Sequence, residues 1–319
     1  MDTLRKLISI IVPVFNEENN IGLIHQALTK TLLEIRDRYE YEILFVNDGS
    51  RDNSGLVIKD LARIDRRVRY LEFSRNFGKE VATTAGIHHA RGHAVMMIDA
   101  DLQHPPELIP EFIKKWEEGA EVIIGVRSSL RAKRLKKLGS VFFYKIINVI
   151  GENIHLTPFA TDFSLLDRRV VKEFNRFTER SRMTRGLVNW LGFKRDFVYF
   201  DAPERADGKP GYGGWRLIGL AMNTFVAHSL FPLKLAGYLG VFIVLISGVL
   251  GFYILLGKYF FHWVFALSFS GPAQLAILII FLVGIILSCL GLIALYIGGI
   301  HSEILNRPIY VIREKHNFE

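Results

Sequence analysis

The chain has 319 residues, half of them hydrophobic, and a mean hydropathy of +0.23. That composition excludes a disordered chain, and at ~100–200 residues per domain the length fits about two domains. The single Cys289 excludes a disulfide framework or a cysteine-built zinc site, while the net charge of +8 suits anionic lipid and nucleic acid alike.

The placement of charge is more telling. Between Leu235 and Ser302 the only formally charged residue is Lys258, whereas residues 1–230 alternate polar and apolar stretches as a water-facing domain does. The N-terminal MDTLRKLISIIVPVFNEE soon turns polar, so no signal peptide is expected. In chain order, ISIIVPVF reads as a buried strand and NEENNIGLIHQALTKTLLEI as a helix capped by Asn16. YEILFVNDGS, VRYLEFS, HAVMMIDAD and AEVIIGVR read as further strands. RDNSGLVIKDLARID, EVATTAGIHHA and PELIPEFIKKWEEG are the helices between them. The alternation predicts a mostly parallel sheet covered on both faces, which binds ligands beyond the carboxyl ends of its strands. Polar residues collect there: Asn16 and Glu17, Asp48, Arg75 and Asn76, Asp99 to Asp101, and Arg127.

Neither GxGxxG after the first strand nor GxxxxGK[ST] occurs, which argues against a dinucleotide dehydrogenase and a P-loop ATPase. Asp99 and Asp101, two apart in MIDADLQHPPE, point the same way if the segment is extended. Paired hard carboxylates suit Mg²⁺ or Mn²⁺ bound with a diphosphate, and Gln103 continues the alternation with an amide oxygen. His104 reads as packed or solvated rather than as a ligand. Arg131, Lys133, Arg134, Lys136 and Lys137 precede the apolar VFFYKIINVIG. This stretch (about 133–151) is either a helix lying on anionic headgroups or a core helix with a solvated face. Asp167 in LDRR reads as a helix cap. ERADGKPGYGGW is a glycine-rich loop, either plain surface or a lid over a ligand.

Residues 213–230 read as an interfacial lead-in helix. The uncharged runs Leu235–Gly257 and Ala273–Ile300 are each long enough to span a bilayer. Lys234 precedes them, while Arg307, Arg313 and Lys315 follow. The positive-inside rule then places the large domain and the tail in the cytoplasm, at a plasma membrane crossed twice. The expected organisation is a cytoplasmic domain over 1–212, the lead-in helix, two transmembrane helices within 231–302 and a cytoplasmic tail over 303–319. Gly284, Gly291, Gly298 and Gly299 allow close helix packing and with it a homo-oligomer.

VPVFNEE, FVNDGSRDNS, SRNFGKEVATTAGIHHARG, MIDADLQHPPELI and IIGVR, in that order and followed by two apolar runs, resemble the GT-A glycosyltransferases of family 2. The whole chain resembles the polyprenyl-phosphate branch: dolichyl-phosphate mannose synthases and, more closely, bacterial undecaprenyl-phosphate glucosyltransferases of O-antigen modification. The resemblance implies an α/β, Rossmann-like GT-A nucleotide-sugar domain followed by two transmembrane α-helices.

It also implies roles. Pro13, Phe15 and Glu17 would wall the base and ribose. Asp48 would recognise uracil or its ribose, alongside an Asx turn in NDGS. Asp99 and Asp101 would face the ribose and a metal-bound diphosphate, with Gln103 as a further ligand. Arg127 would face phosphate, Lys136 and Ser140 the lipid phosphate, and Arg75 and Lys79 either phosphate or solvent. Asp162, before Phe-x-Leu, takes the place of the acceptor-side carboxylate. Arg205, Gly208 and Tyr212 match a donor-site motif in which Pro210 and Gly211 replace a Ser-Lys pair.

The expected activity is inverting, metal-dependent transfer of one hexose, glucose above all, from a UDP-sugar to undecaprenyl phosphate. The alternatives are mannose from GDP-mannose, an aminopentose, or a nucleotide-binding subunit with impaired catalysis. A processive synthase would show QxxRW, where this chain has RGLVNW around Arg185 and Trp190. No nucleic acid is expected as partner, because the basic segment adjoins an apolar helix and lacks a base-stacking module.

Overall fold

The computed structural model of the protein describes residues 5–128, 159–180, 182–201 and 271–318, with positions 242 and 249. The basic interfacial segment, the glycine-rich loop, the lead-in helix and nearly all of the first apolar run lie outside these residues, as do Lys136, Ser140 and Arg205. The chain forms two compact units, residues 1–211 with 307–319, and residues 212–306.

The first unit is organised around strands too apolar to have a wet face. β1 (Lys6–Val14) and β2 (Tyr39–Asn47) are buried along almost their whole length. With α1 (Glu18–Leu33), α2 (Ser54–Ile64), β3 (Val68–Phe73), α3 (Lys79–His89), β4 (Ala94–Met97), α4 (Ile109–Glu117) and β5 (Val122–Arg127), they reproduce the expected alternation. Next come β6 (Ala160–Asp167), α5 (Arg168–Phe174), α6 (Thr184–Trp190) and β7 (Arg195–Phe200). The second unit contributes α7 (Gly271–Ile304), and β8 (Ile312–His316) returns to the first.

The strands form one sheet in the order β7-β5-β6-β4-β1-β2-β3-β8. β1, β2, β3 and β4 pair in parallel, as do β5 and β7. The sheet is mostly parallel, as expected, with β6 running antiparallel between β4 and β5. Phe163, Leu165 and Leu166 of β6 are fully buried with side chains in both cores, which an edge strand could not achieve. Helices α1, α2 and α4 cover one face of the sheet and α3, α5 and α6 the other. α3 lies so close to β1 that a Cβ on Gly86 would come within 2.3 Å of the Ile11 side chain.

Two local readings change. Asn16 does not cap α1. Its backbone is left-handed (φ 56), and its side-chain oxygen accepts from Arg51 N–H at 2.8 Å. The Glu18 N–H at the start of α1 donates instead to Asp52 Oδ2 of the neighbouring loop. Asp167 does cap its helix, accepting from Arg169 N–H at 2.8 Å.

The C-terminal residues, expected as a tail, finish the sheet. β8 pairs antiparallel with β3. Tyr310 stacks on Phe73 with centroids 5.2 Å apart, Asn317 donates to the carbonyls of Ala62 and Val68, and Arg69 lies 3.9 Å beneath the Phe318 ring. The outer side of β3 is thereby paired, and the short β8 becomes the edge strand.

α7 has 34 residues and coincides with the second apolar run. No helix whose residues are described throughout is long and apolar enough to cross a membrane.

Beneath the sheet ends opposite the polar loops, Glu42 accepts from Ser9 Oγ, from Arg91 N–H and from Arg69 Nη1 at 2.8 Å. Both members of the Glu42–Arg69 pair are buried. Glu42→Ala strands the guanidinium and should lower unfolding stability by about 3–5 kcal/mol, measured by denaturant titration.

Candidate functional site

The carboxyl ends of β1, β2, β4 and β5 lie along one edge of the sheet, and the antiparallel course of β6 brings its beginning to that same edge. Val126 is opposite Ala160, and Met97 opposite Ser164. Asp162 therefore reaches the end of β4 although some sixty residues separate it from Asp99 in sequence.

Three carboxylates and three cations are assembled there. Lys79, first residue of α3, places its ammonium 2.7 Å from Asp99 Oδ1 and 3.0 Å from Asp162 Oδ2. Asp162 Oδ1 lies 3.0 Å from Arg185 Nε. Burial on its own would raise the Asp162 carboxyl, but Lys79 and Arg185 outweigh it and hold the pKa below the ordinary aspartate value. Burial would likewise lower Lys79, but its two carboxylate partners raise it. Both groups are charged at neutral pH.

Asp101 is on a turn rather than in extended backbone: β4 ends at Met97, residues 100 and 101 turn, and Leu102 is left-handed (φ 59). The alternation argument for Asp99, Asp101 and Gln103 therefore fails. Asp101 Oδ1 accepts from Gln103 N–H at 3.1 Å, while the Gln103 amide oxygen accepts from Arg127 Nη2 at 2.9 Å. Gln103 thus helps to position the arginine. The Arg127 Nε is buried and finds no hydrogen-bond partner among the described residues, a donor suited to an anion.

His104 is packed. It is 1% exposed, stacks on Phe163 at 5.1 Å and accepts the Asp99 N–H through Nδ1. Burial lowers its pKa, and the neutral ring carries its proton on Nε2. It supports the loop that presents Asp99.

Asp48 does something other than expected. It is 2% exposed, and its two oxygens accept from Phe77 N–H at 2.7 Å and Gly78 N–H at 2.9 Å. Burial raises its pKa while these two donors oppose the rise. The Asx-type bond in this turn comes from Asn47, whose Oδ1 accepts from Ser50 N–H. Asp48 thus fixes the entry to α3 and through it the position of Lys79. Gly49 (φ 64) permits this, since a Cβ there would fall 2.4 Å from the Arg75 carbonyl carbon. Arg75 lies over the Phe77 ring at 4.0 Å.

Phe15, 42% exposed at the end of β1, leaves an open aromatic face beside half-buried Pro13 and Glu17. The Glu17 N–H donates to Ser54 Oγ, and its carboxylate accepts from Asn20. Sequence reasoning missed Arg185 as a member of the site. Its only signal was the RGLVNW segment, weighed there only against the QxxRW of a processive synthase.

Residues 9–174 match the Glycosyl transferase family 2. The chain belongs to this family. It is a glycosyltransferase, and its similarity to curated relatives runs end to end. It is 38% identical over 312 residues to the SfII prophage-derived bactoprenol glucosyl transferase of Shigella flexneri, covering 97% of this chain and 98% of the relative. It is 40% identical over 310 residues to the putative glycosyltransferase CsbB of Bacillus subtilis, covering 97% and 92%. Among solved structures, the mannosyltransferase PcManGT from Pyrobaculum calidifontis, in complex with GDP-Man and Mn²⁺, is 18% identical with a TM-score of 0.46, covering 71% of this chain and 63% of that one.

Among the described residues no three His, Cys, Asp or Glu side chains gather as metal ligands. The donor chemistry of Asp99 and Asp101 nonetheless fits a hard divalent cation, provided a diphosphate supplies further oxygens.

Asp48→Asn turns an NH₂ group toward backbone N–H donors. It should lower stability by about 1–3 kcal/mol in denaturant unfolding. An unchanged midpoint with lost nucleotide affinity would instead give Asp48 a direct ligand contact.

Proposed function

We propose that the protein transfers one glucose from UDP-glucose to undecaprenyl phosphate at the cytoplasmic face of a membrane, with inversion at the anomeric carbon. The observation that carries this reading is the joining of Asp99, on the expected donor side, to Asp162, on the expected acceptor side, through Lys79. The near full-length similarity to a bactoprenol glucosyl transferase supports the sugar and the lipid class.

An oxygen of the lipid phosphate forms the new bond to the anomeric carbon as the bond to the UDP oxygen breaks, its electron pair leaving with UDP. Mg²⁺ or Mn²⁺ at Asp99 and Asp101 would neutralise charge on that leaving group. Arg127, with its unsatisfied Nε, and Arg205 add positive charge for phosphate, and Phe15 with Pro13 and Glu17 offers a wall for the base. Lys136 and Ser140 would hold the acceptor phosphate. A phosphate monoester has a second pKa of ~6 and arrives largely ionised. Asp162, flanked by two cations, is a poor base, so we assign it orientation and electrostatic stabilisation rather than proton abstraction.

The membrane assignment is part of the same proposal. From Gly271 to Ile300 no Asp, Glu, Lys or Arg occurs, and Leu275, Leu278, Leu282, Ile286, Leu290 and Ile297 are exposed large side chains on α7. At ~1.5 Å per residue this helix exceeds a ~30 Å hydrocarbon core. Residues 212–306 leave the catalytic unit and the chain re-enters it as β8, so any crossings between come in pairs. That parity is compatible with two spans and keeps the catalytic unit and the C-terminal strand on one face; the cytoplasmic face is assigned from the basic residues flanking the runs.

The test is a donor panel: purified full-length protein, undecaprenyl phosphate, Mg²⁺ and separate UDP- and GDP-sugars. Lipid-linked glucose from UDP-glucose alone is expected, and transfer only from GDP-mannose would overturn the sugar assignment. Turnover should stop in excess chelator, and Asp101→Ala should lose more activity than Asp99→Ala. Asp162→Asn should lower kcat by ~10²–10⁴ with donor affinity little changed. The defect should persist at pH 8; recovery there would make Asp162 a base.

A further inference from the structure

Three elements meet around Asp162, and each is tied to the other two. From α3, Lys79 holds Asp162 Oδ2, while the adjacent Glu80 accepts the Thr184 N–H at 2.8 Å and so fixes the start of α6. From α6, Arg185 places Nε 3.0 Å from Asp162 Oδ1 and donates through Nη1 to the Ala160 carbonyl at 2.8 Å. The guanidinium is therefore tied to β6 by a hydrogen bond to the backbone and by an ion pair with the carboxylate two residues later, in which the buried Nε makes no hydrogen bond among the described residues. An aspartate side chain has two free torsions. Lys79 hydrogen-bonds one oxygen and Arg185 attracts the other as an ion pair, so both bias the carboxylate toward one orientation.

We propose that Arg185 is a positioning residue for the transfer reaction: it holds the Asp162 carboxylate in its working orientation and acts only through it. The inference rests on the glycosyl-transfer reading above, in which Asp162 faces the acceptor. The contacts of Arg185 on β6 are to Asp162 and Ala160, so its loss should leave donor binding intact. A long flexible lysine at 185 can restore positive charge beside Asp162. It lacks the guanidinium that bonds the backbone carbonyl while lying beside the carboxylate, so the orientation is only partly recovered.

The test is a double-mutant cycle in full-length protein, using UDP-glucose and undecaprenyl phosphate, with UDP-glucose binding measured separately by calorimetry. Arg185→Ala should lower kcat roughly tenfold to a hundredfold, the scale for displaced catalytic groups, with the UDP-glucose dissociation constant unchanged. Arg185→Lys should recover part of the loss. In the Asp162→Asn background, Arg185→Ala should cost less than about threefold more, because the group it positions is already gone. An equal loss in both backgrounds, or a weakened donor in Arg185→Ala, would overturn the proposal and make Arg185 a structural or donor-site residue. Were Arg185→Ala to fold poorly, Arg185→Lys taken through the same cycle decides the matter by the same criterion. Failure of the wild-type protein to transfer glucose at all would instead strike the functional reading beneath it.

Discussion

The site depends on one ammonium group held between two carboxylates. Lys79 lies at the N-terminus of α3, between Asp99 at the end of β4 and Asp162 near the start of β6. Without a cation there, two ionised aspartates converging on one place would repel, and either their charges or the strand ends would have to yield. With it, carboxylates from two motifs far apart in the chain share a partner, and Arg185 balances the second.

Much of the surrounding structure acts to put that ammonium in place. Asp48, buried at the end of β2, spends both oxygens on the backbone that opens α3. Gly86 lets α3 lie directly on β1. At the far end of α3, His88 and His89 contact Tyr310 and Phe318 of the C-terminal segment. That segment also pairs the outer side of β3. A helix pinned at its entry, along its side and at its exit gives Lys79 a defined origin, which a flexible side chain needs if it is to bridge two groups reliably.

The same arrangement bears on the chemistry. An aspartate between two cations is a weak base, and in the proposed reaction an already ionised phosphate needs none. The features fit together if the protein supplies charge and orientation while the reactants supply nucleophile and leaving group. Arg127, with a buried unsatisfied Nε and its Gln103 partner, adds a positive group at the end of β5.

The sequence by itself determined the elements up to β5, because buried strands and amphipathic helices leave a periodic trace in which each residue answers to its own neighbours. It also determined the family, from five ordered motifs, and the Asp167 cap, a bond that reaches only two residues along the chain. Only the tertiary structure decided that β6 runs antiparallel between β4 and β5, that residues after α7 return to finish the sheet, and that Asn16 ties two loops together instead of capping a helix. It alone assigned Asp48 to the backbone of α3, Gln103 to Arg127 and Arg185 to Asp162. Each of these depends on partners distant in sequence, and a hydrogen bond or ion pair is set by separations of about three ångströms in space, which no spacing along the chain encodes.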